Sequence, residues 1–373
     1  MNFDFSEDVT AMREEVGRML RDRFPRGAVR QAVDEGEPHD ADFWKLIGDM
    51  GWTGIATPEA YGGSGLGYEA LCMIAEEIGR VLAPVPFASS VYLAAEALLL
   101  FGSEEQKQAW LPRLASGEAI GTVAIAEGAG DPRPEAIMTR ADEEGLTGVK
   151  LPVIDGGLAD VAVVAARDGA GDVGLWLVDL AGEGVRREPL AALDVVRRSA
   201  RLSLSAAPAE RLPGAADWGA IERLLDRAAI LFAFEQVGGA QAALDMAVAF
   251  AHDRFAFGRP VASFQAIKHK LADLYVATEL ARSNAYYGAW AIDRDATELP
   301  VAAAAARIAA TEAFSIASRE NIQTHGGMGM TWEADCHLYY RRARELALVV
   351  GSPRHWRGRL IGLLDRQNLQ AAE

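Results

Sequence analysis

The stretch Ile221–Arg254, IERLLDRAAILFAFEQVGGAQAALDMAVAFAHDR, is a long run of mostly strong helix formers. Two further alanine-rich segments, Ser263–Asp293 and Pro300–His325, follow it with only loops between them. Consecutive long helices with such connections predict an antiparallel helical bundle. Gly238, Gly239 and the alanines between Phe234 and Ala243 leave room for a spacious pocket beside the first of these helices.

The pattern upstream is different. From Ile120 the chain reads TVAIAEGAG, GLTGVKLPVIDG, VAVVAAR, GLWLVDL and RLSLS, short β-rich runs separated by Gly, Asp and Pro turn signals. Before them, Val9, Met12, Val16, Met19, Leu20 and Phe24 form one helical stripe that Pro25 ends. Helices are also predicted over Asp42–Met50 and Tyr68–Leu82, and from Ser103, where Ser103 and Gln106 have capping-box spacing. The fold class is therefore mainly α with a central β domain. Its expected units are an N-terminal helical domain (1–118), a middle, barrel-like β domain (119–212) and a C-terminal four-helix bundle (213–373).

The bulk numbers narrow the function. With 37 Lys and Arg against 53 Asp and Glu, the formal net charge is −16, which argues against nucleic-acid binding. The longest apolar stretches, such as Tyr92–Phe101, are about half the roughly 20 residues a membrane span needs. The first ten residues show no export signal, so a cytoplasmic protein without a membrane span is expected. Cys72 and Cys336 stand far apart with no metal-ligand spacing, which leaves them as free thiols with no metal site.

Past the bundle helices comes QTHGGMGM, Gln323–Met330, a glycine cluster that matches neither familiar phosphate loop. Together with GWTGIATPEAYGGSGLGYEALCMIAEEIGR and DRFAFGRPVASFQAIKHKLAD, it resembles the acyl-CoA dehydrogenase family of flavoproteins. The resemblance covers almost the whole chain, and the three segments together are specific where GGMG alone is not. It implies FAD as cofactor, an acyl-CoA from fatty acid or sterol side-chain oxidation as substrate, and an electron-transfer flavoprotein as acceptor. It also implies pairing of bundles, as a homo-oligomer or as a heterotetramer with a related subunit.

In the family, FAD lies between two paired subunits. By position, Arg254 would reach the pyrophosphate of the neighbour's FAD, Phe257 and Gln265 would line the same pocket, and Gln323, Gly326 and Gly327 would form the turn against its ADP end. The chemistry suits these roles: a guanidinium fork matches a diphosphate, and glycine admits close backbone approach. The plain alternatives are a surface ion pair of Arg254 with Asp253 and an ordinary helix-to-loop turn.

Other family features are missing. The usual base, a glutamate, aligns with Val350. A second family group places the base early in the first bundle helix, which here gives Ala228. Glu235, alone in an apolar run, is the candidate catalytic base, and Asp226 is the other carboxylate nearby. The three family contacts to the flavin ring fall on Ala126, Pro152 and Ile154, none of which offers the expected hydroxyl or indole. The chain thus keeps contacts to a neighbour's cofactor and lacks its own ring contacts and usual base. That combination fits a subunit that completes the flavin pocket of a partner; a homomeric dehydrogenase and a silent scaffold are the other readings.

Overall fold

The computed structural model of the protein describes residues 7–25, 27–36 and 39–372. The leading segment 1–6, part of the stretch read as lacking an export signal, lies outside them. Six α-helices open the chain: α1 (Glu7–Arg23), α2 (Ala28–Glu35), α3 (Ala41–Asp49), α4 (Gly67–Val81), α5 (Glu96–Phe101) and α6 (Glu104–Ala115). On α1 the expected stripe buries Val16 and Leu20. Asp40 caps α3 by accepting from the Phe43 N–H at 2.9 Å, and the Ser103/Gln106 capping box forms at the start of α6.

The helices not expected from the sequence are α2 and α5, the latter preceded without a break by a wide π-helical turn over Ala88–Ala95. Both faces of Ala88–Ala95 are buried, so no polar stripe marks its register.

Eight strands follow: β1 (Gly121–Ala124), β2 (Arg140–Asp142), β3 (Gly145–Ile154), β4 (Val161–Arg167), β5 (Val173–Asp179), β6 (Val185–Leu190), β7 (Ser199–Ala207) and β8 (Glu210–Arg211). They form one sheet in the order β6-β7-β3-β2-β4-β5-β8, with β1 paired parallel to β4. Strand β4 shows how this sheet is used. Val161, Val163 and Ala165 join the main core shared with the helices, while Ala162, Val164 and Ala166 face a separate small core with Trp176 and Leu202. The period of two assigns each side chain to a face. Because both faces are covered, VAVVAA is apolar throughout.

The C-terminal part is built on α7 (Trp218–Asp253), followed by a small hairpin of β9 (Phe255–Ala256) and β10 (Arg259–Pro260). It continues with α8 (Gln265–Asp293), α9 (Leu299–His325), α10 (Cys336–Leu346) and α11 (Pro353–Ala372). Helix α9 is long and apolar enough to cross a membrane by length and composition, yet over half of its apolar window is buried inside the protein. It packs between α7, α8, α10 and α11, so its hydrophobicity is that of a bundle core.

The Gly238–Gly239 pair does not open a spacious pocket. A Cβ at Gly238 would lie 1.8 Å from the Glu76 carbonyl oxygen of α4, and one at Gly79 would lie 2.1 Å from the Glu235 carbonyl oxygen of α7. The two helices touch backbone to backbone where these glycines face each other. A Cβ at Gly239 would fall 2.4 Å from the Phe314 ring of α9. Small residues here let neighbouring helices close in, and the neighbours fill the space.

Candidate functional site

The chain ends of three bundle helices meet. Phe250 of α7 stacks on His325 of α9, with ring centroids 4.1 Å apart, and Lys270 of α8 pairs with Glu320 of α9 at 2.7 Å. Antiparallel packing therefore puts the end of α7, the start of α8 and the end of α9 at one end of the bundle. Arg254, Phe257, Gln265, Gln323, Gly326 and Gly327 all belong to that end, and all six are exposed.

Each has a local reason for its place. Arg254 leaves α7 in extended conformation, and among the described residues its guanidinium has no ion pair, with Asp253 or otherwise. Phe257 and Gly258 have φ of +53° and +78°, as a two-residue turn between β9 and β10 demands. The turn leaves Phe257 96% exposed, its ring edge-on to Phe264 at 6.2 Å. Gly326 has φ +60°, and a Cβ on it or on Gly327 would meet nothing within 4 Å. An unpaired guanidinium, an exposed aromatic ring and bare backbone on one open face suit a flat, diphosphate-bearing cofactor held from outside.

The family's ring contacts and base position lead to a second place. Ala126, Pro152, Ile154 and Val350, far apart in sequence, line one cavity of about 150 Å³. Backbone bonds align the first two: the Leu151 N–H donates to the Ala126 carbonyl at 2.9 Å, and the Gly128 N–H to the Leu151 carbonyl at 2.9 Å. The cavity is smaller than the roughly 300–1,000 Å³ of pockets that enclose a cofactor-sized ligand.

The carboxylates on its lining are already engaged. Glu127 accepts from the Lys150 ammonium at 2.6 Å and from the N–H groups of Met138 and Thr139 at 2.8 and 3.0 Å. Burial pushes this carboxyl up, but Lys150 and the hydrogen bonds outweigh it and hold it below the ordinary range. Burial also draws Lys150 down to about 8, against the pull of Glu127. Asp131 accepts from the Ser352 N–H at 2.7 Å, which ties the β1–β2 connection to the turn after Val350. Partial burial raises Asp131, and its bonds to Ser352 and the nearby His355 and Arg354 charges outweigh that and lower it. The sequence reading missed this strap, although the aspartate closing GAGD is its visible half.

Neither candidate base lines the cavity. Glu235 is 1% exposed, and its Oε1 accepts from Arg197 at 2.7 Å and from Arg342 at 3.0 Å. Arg342 also donates to Asp194. Burial alone would lower the Arg342 guanidinium, but the Asp194 and Glu235 charges outweigh it and raise it. A carboxylate clamped by two buried guanidiniums is a structural ion-pair partner, poorly placed to remove a proton from a substrate. Glu235, expected as the base, thus lies in a buried ion-pair cluster and off the cavity lining. Asp226 is pushed up to about 6 by burial, against Arg359. Both its oxygens accept from that side chain, at 2.9 and 2.6 Å.

Residues 6–118 match the family model for the acyl-CoA dehydrogenase N-terminal domain, and residues 218–354 that for the C-terminal domain. This chain belongs to the acyl-CoA dehydrogenase family. It is 35% identical to acyl-CoA dehydrogenase IpdE2 of Mycobacterium tuberculosis, across 93% of this chain and 94% of that protein. Among solved structures, the ChsE4–ChsE5 complex of Mycobacterium tuberculosis is similar with a TM-score of 0.86 and 27% identity, over 100% of this chain and 99% of that one. A variant of the Tcur3481–Tcur3483 steroid ACAD is similar with a TM-score of 0.87 and 30% identity, over 97% and 99%. These acyl-CoA dehydrogenases are flavoprotein oxidoreductases, and the three-part order of this chain is theirs.

Proposed function

We propose that this chain is the subunit of a heteromeric acyl-CoA dehydrogenase that completes the FAD pocket of a catalytic partner. The observation that carries the reading is the contrast between two places. The bundle-end face of Arg254, Phe257, Gln265, Gln323, Gly326 and Gly327 is open and unpaired. The chain's own ring cavity is small and lined by Ala126, Pro152, Ile154 and Val350, with Asp131 tied across it. Similarity to two-component assemblies, ChsE4–ChsE5 and Tcur3481–Tcur3483, supports the same reading.

FAD held in the partner would supply the acceptor for the hydride leaving the acyl β-carbon, with an electron-transfer flavoprotein as its expected electron acceptor. This chain's residues bind and orient. Arg254 would offer a fork of N–H donors to the diphosphate, Phe257 would shield it from water, and the Gly326–Gly327 backbone would take the ADP end. The base belongs to the partner. The steroid ACAD among the similar structures favours a bulky, sterol-derived acyl-CoA over a short straight chain.

The test is to purify the chain alone and with its candidate partner, and to read flavin absorbance and exchange of the substrate α-proton. Flavin and exchange are expected only in the complex. Stoichiometric flavin, reduced by an acyl-CoA in the isolated chain, overturns the proposal. That result favours a homomeric enzyme with Asp226 as base, because Asp226 adjoins the cavity-lining Leu225.

A further inference from the structure

Between α1 and α4 lies an arginine-lined groove that the dehydrogenase reading does not use. Its volume is about 490 Å³, and Arg13, Arg18, Arg21 and Arg80 supply four guanidiniums against Glu14 and Glu77. A cationic excess stands out on a chain of net charge −16. Arg13, Gly17 and Arg21 are spaced four apart on α1, so they share one helical face. Gly17 makes a notch between the arginines: a Cβ there would lie 2.9 Å from Glu77 Oε2 and 3.0 Å from Arg21 Nη1.

Two of the arginines are fixed by partners. Arg13 pairs with Glu76 and Glu77 at 2.5 and 3.1 Å, and Arg80 pairs with Asp245 at 3.1 Å. The other two are available. Arg18 is mostly exposed, with a 3.7 Å contact to Glu15, and Arg21 has no ion pair among the described residues. Arg21 and Arg80 also line an adjoining recess of about 300 Å³, whose walls include Phe24, Val29, Leu82 and Met246 together with Asp245 and Asp335, the two carboxylates being paired with Arg80 and Arg30. The exposed Arg18 and Arg21 thus stand beside a recess whose aliphatic walls carry two carboxylates already engaged by arginines.

We propose that this paired groove and recess bind an amphipathic organic phosphate, with the phosphate on Arg18 and Arg21 and an aliphatic body in the recess. Guanidinium forks match phosphate oxygens, and the recess removes apolar surface from water. A phosphate alone leaves the recess unfilled, and a neutral hydrocarbon leaves the arginines unused.

The test is calorimetric titration of the full chain with hexyl phosphate, inorganic phosphate and hexanol. Hexyl phosphate is expected to bind saturably, at least about tenfold tighter than either half alone. The exposed double substitution Arg18→Gln/Arg21→Gln should weaken it about tenfold or more with the circular dichroism unchanged. Met246→Gln should weaken hexyl phosphate and leave inorganic phosphate as it was. No saturable binding of hexyl phosphate to the folded chain overturns the proposal, as does equal affinity for hexyl and inorganic phosphate, or indifference to the arginine pair.

Discussion

Asp155 provides a direct test of how the buried charges are balanced. It follows Ile154 at the end of β3, with φ +52°, and is 4% exposed. Its carboxyl accepts from the Ser89 hydroxyl at 2.7 Å. Burial pushes it from the ordinary 3.8 up to about 6, against the opposing Arg197 charge. A raised carboxyl means that the folded chain holds its proton longer than the unfolded chain. Below about pH 4 both states are protonated and the group is neutral to stability. As pH rises through the interval from 3.8 to about 6, stability falls, and above it the full cost is present. At about 1.4 kcal/mol per tenfold, that cost is about 3 kcal/mol. Asp155→Asn keeps the shape, the acceptor for Ser89 and tolerance of positive φ, and it does not titrate. The variant should therefore gain about 3 kcal/mol over the parent at pH 8 and little at pH 4, read from guanidinium unfolding at several pH values. Parallel pH profiles for parent and variant, or a variant that loses ground as pH rises, would refute the reasoning.

Further outcomes follow from the same geometry. Glu235→Gln removes the negative partner of Arg197 and Arg342 and should destabilise the fold by about 3 kcal/mol or more, seen as an earlier denaturant midpoint; a normal midpoint with lost α-proton exchange in the complex would restore Glu235 as base. Gly238→Ala drives a methyl into the Glu76 carbonyl and should part α4 from α7, costing about 1–3 kcal/mol or more, measured by thermal unfolding. Arg254→Gln changes an exposed side chain and should leave unfolding unchanged within about 0.5 kcal/mol, while the complex loses flavin on dialysis. Gly326→Ala meets no steric neighbour, so only backbone strain of about 1–3 kcal/mol is expected, together with weaker flavin retention in the complex.

Sequence alone determined the three-part architecture, because long alanine-rich runs, short β-branched runs and their turn residues act locally. The helices read as Val9–Phe24 and Ile221–Arg254 appear as Glu7–Arg23 and Trp218–Asp253. Ala126, Pro152, Ile154 and Val350, aligned by resemblance, do share one cavity. Segments without an exposed polar face gave no such signal, and Ala88–Ala95 was missed for that reason. What only the tertiary structure decided is where each charge and glycine finds its partner. Arg342, 107 residues after Glu235, clamps it; Ser352, 221 residues after Asp131, holds it across the cavity; and α4 fills the space that Gly238 seemed to leave open. Those contacts join residues distant in the chain, and local propensity carries no record of which distant groups the packed helices bring within hydrogen-bonding or van der Waals range.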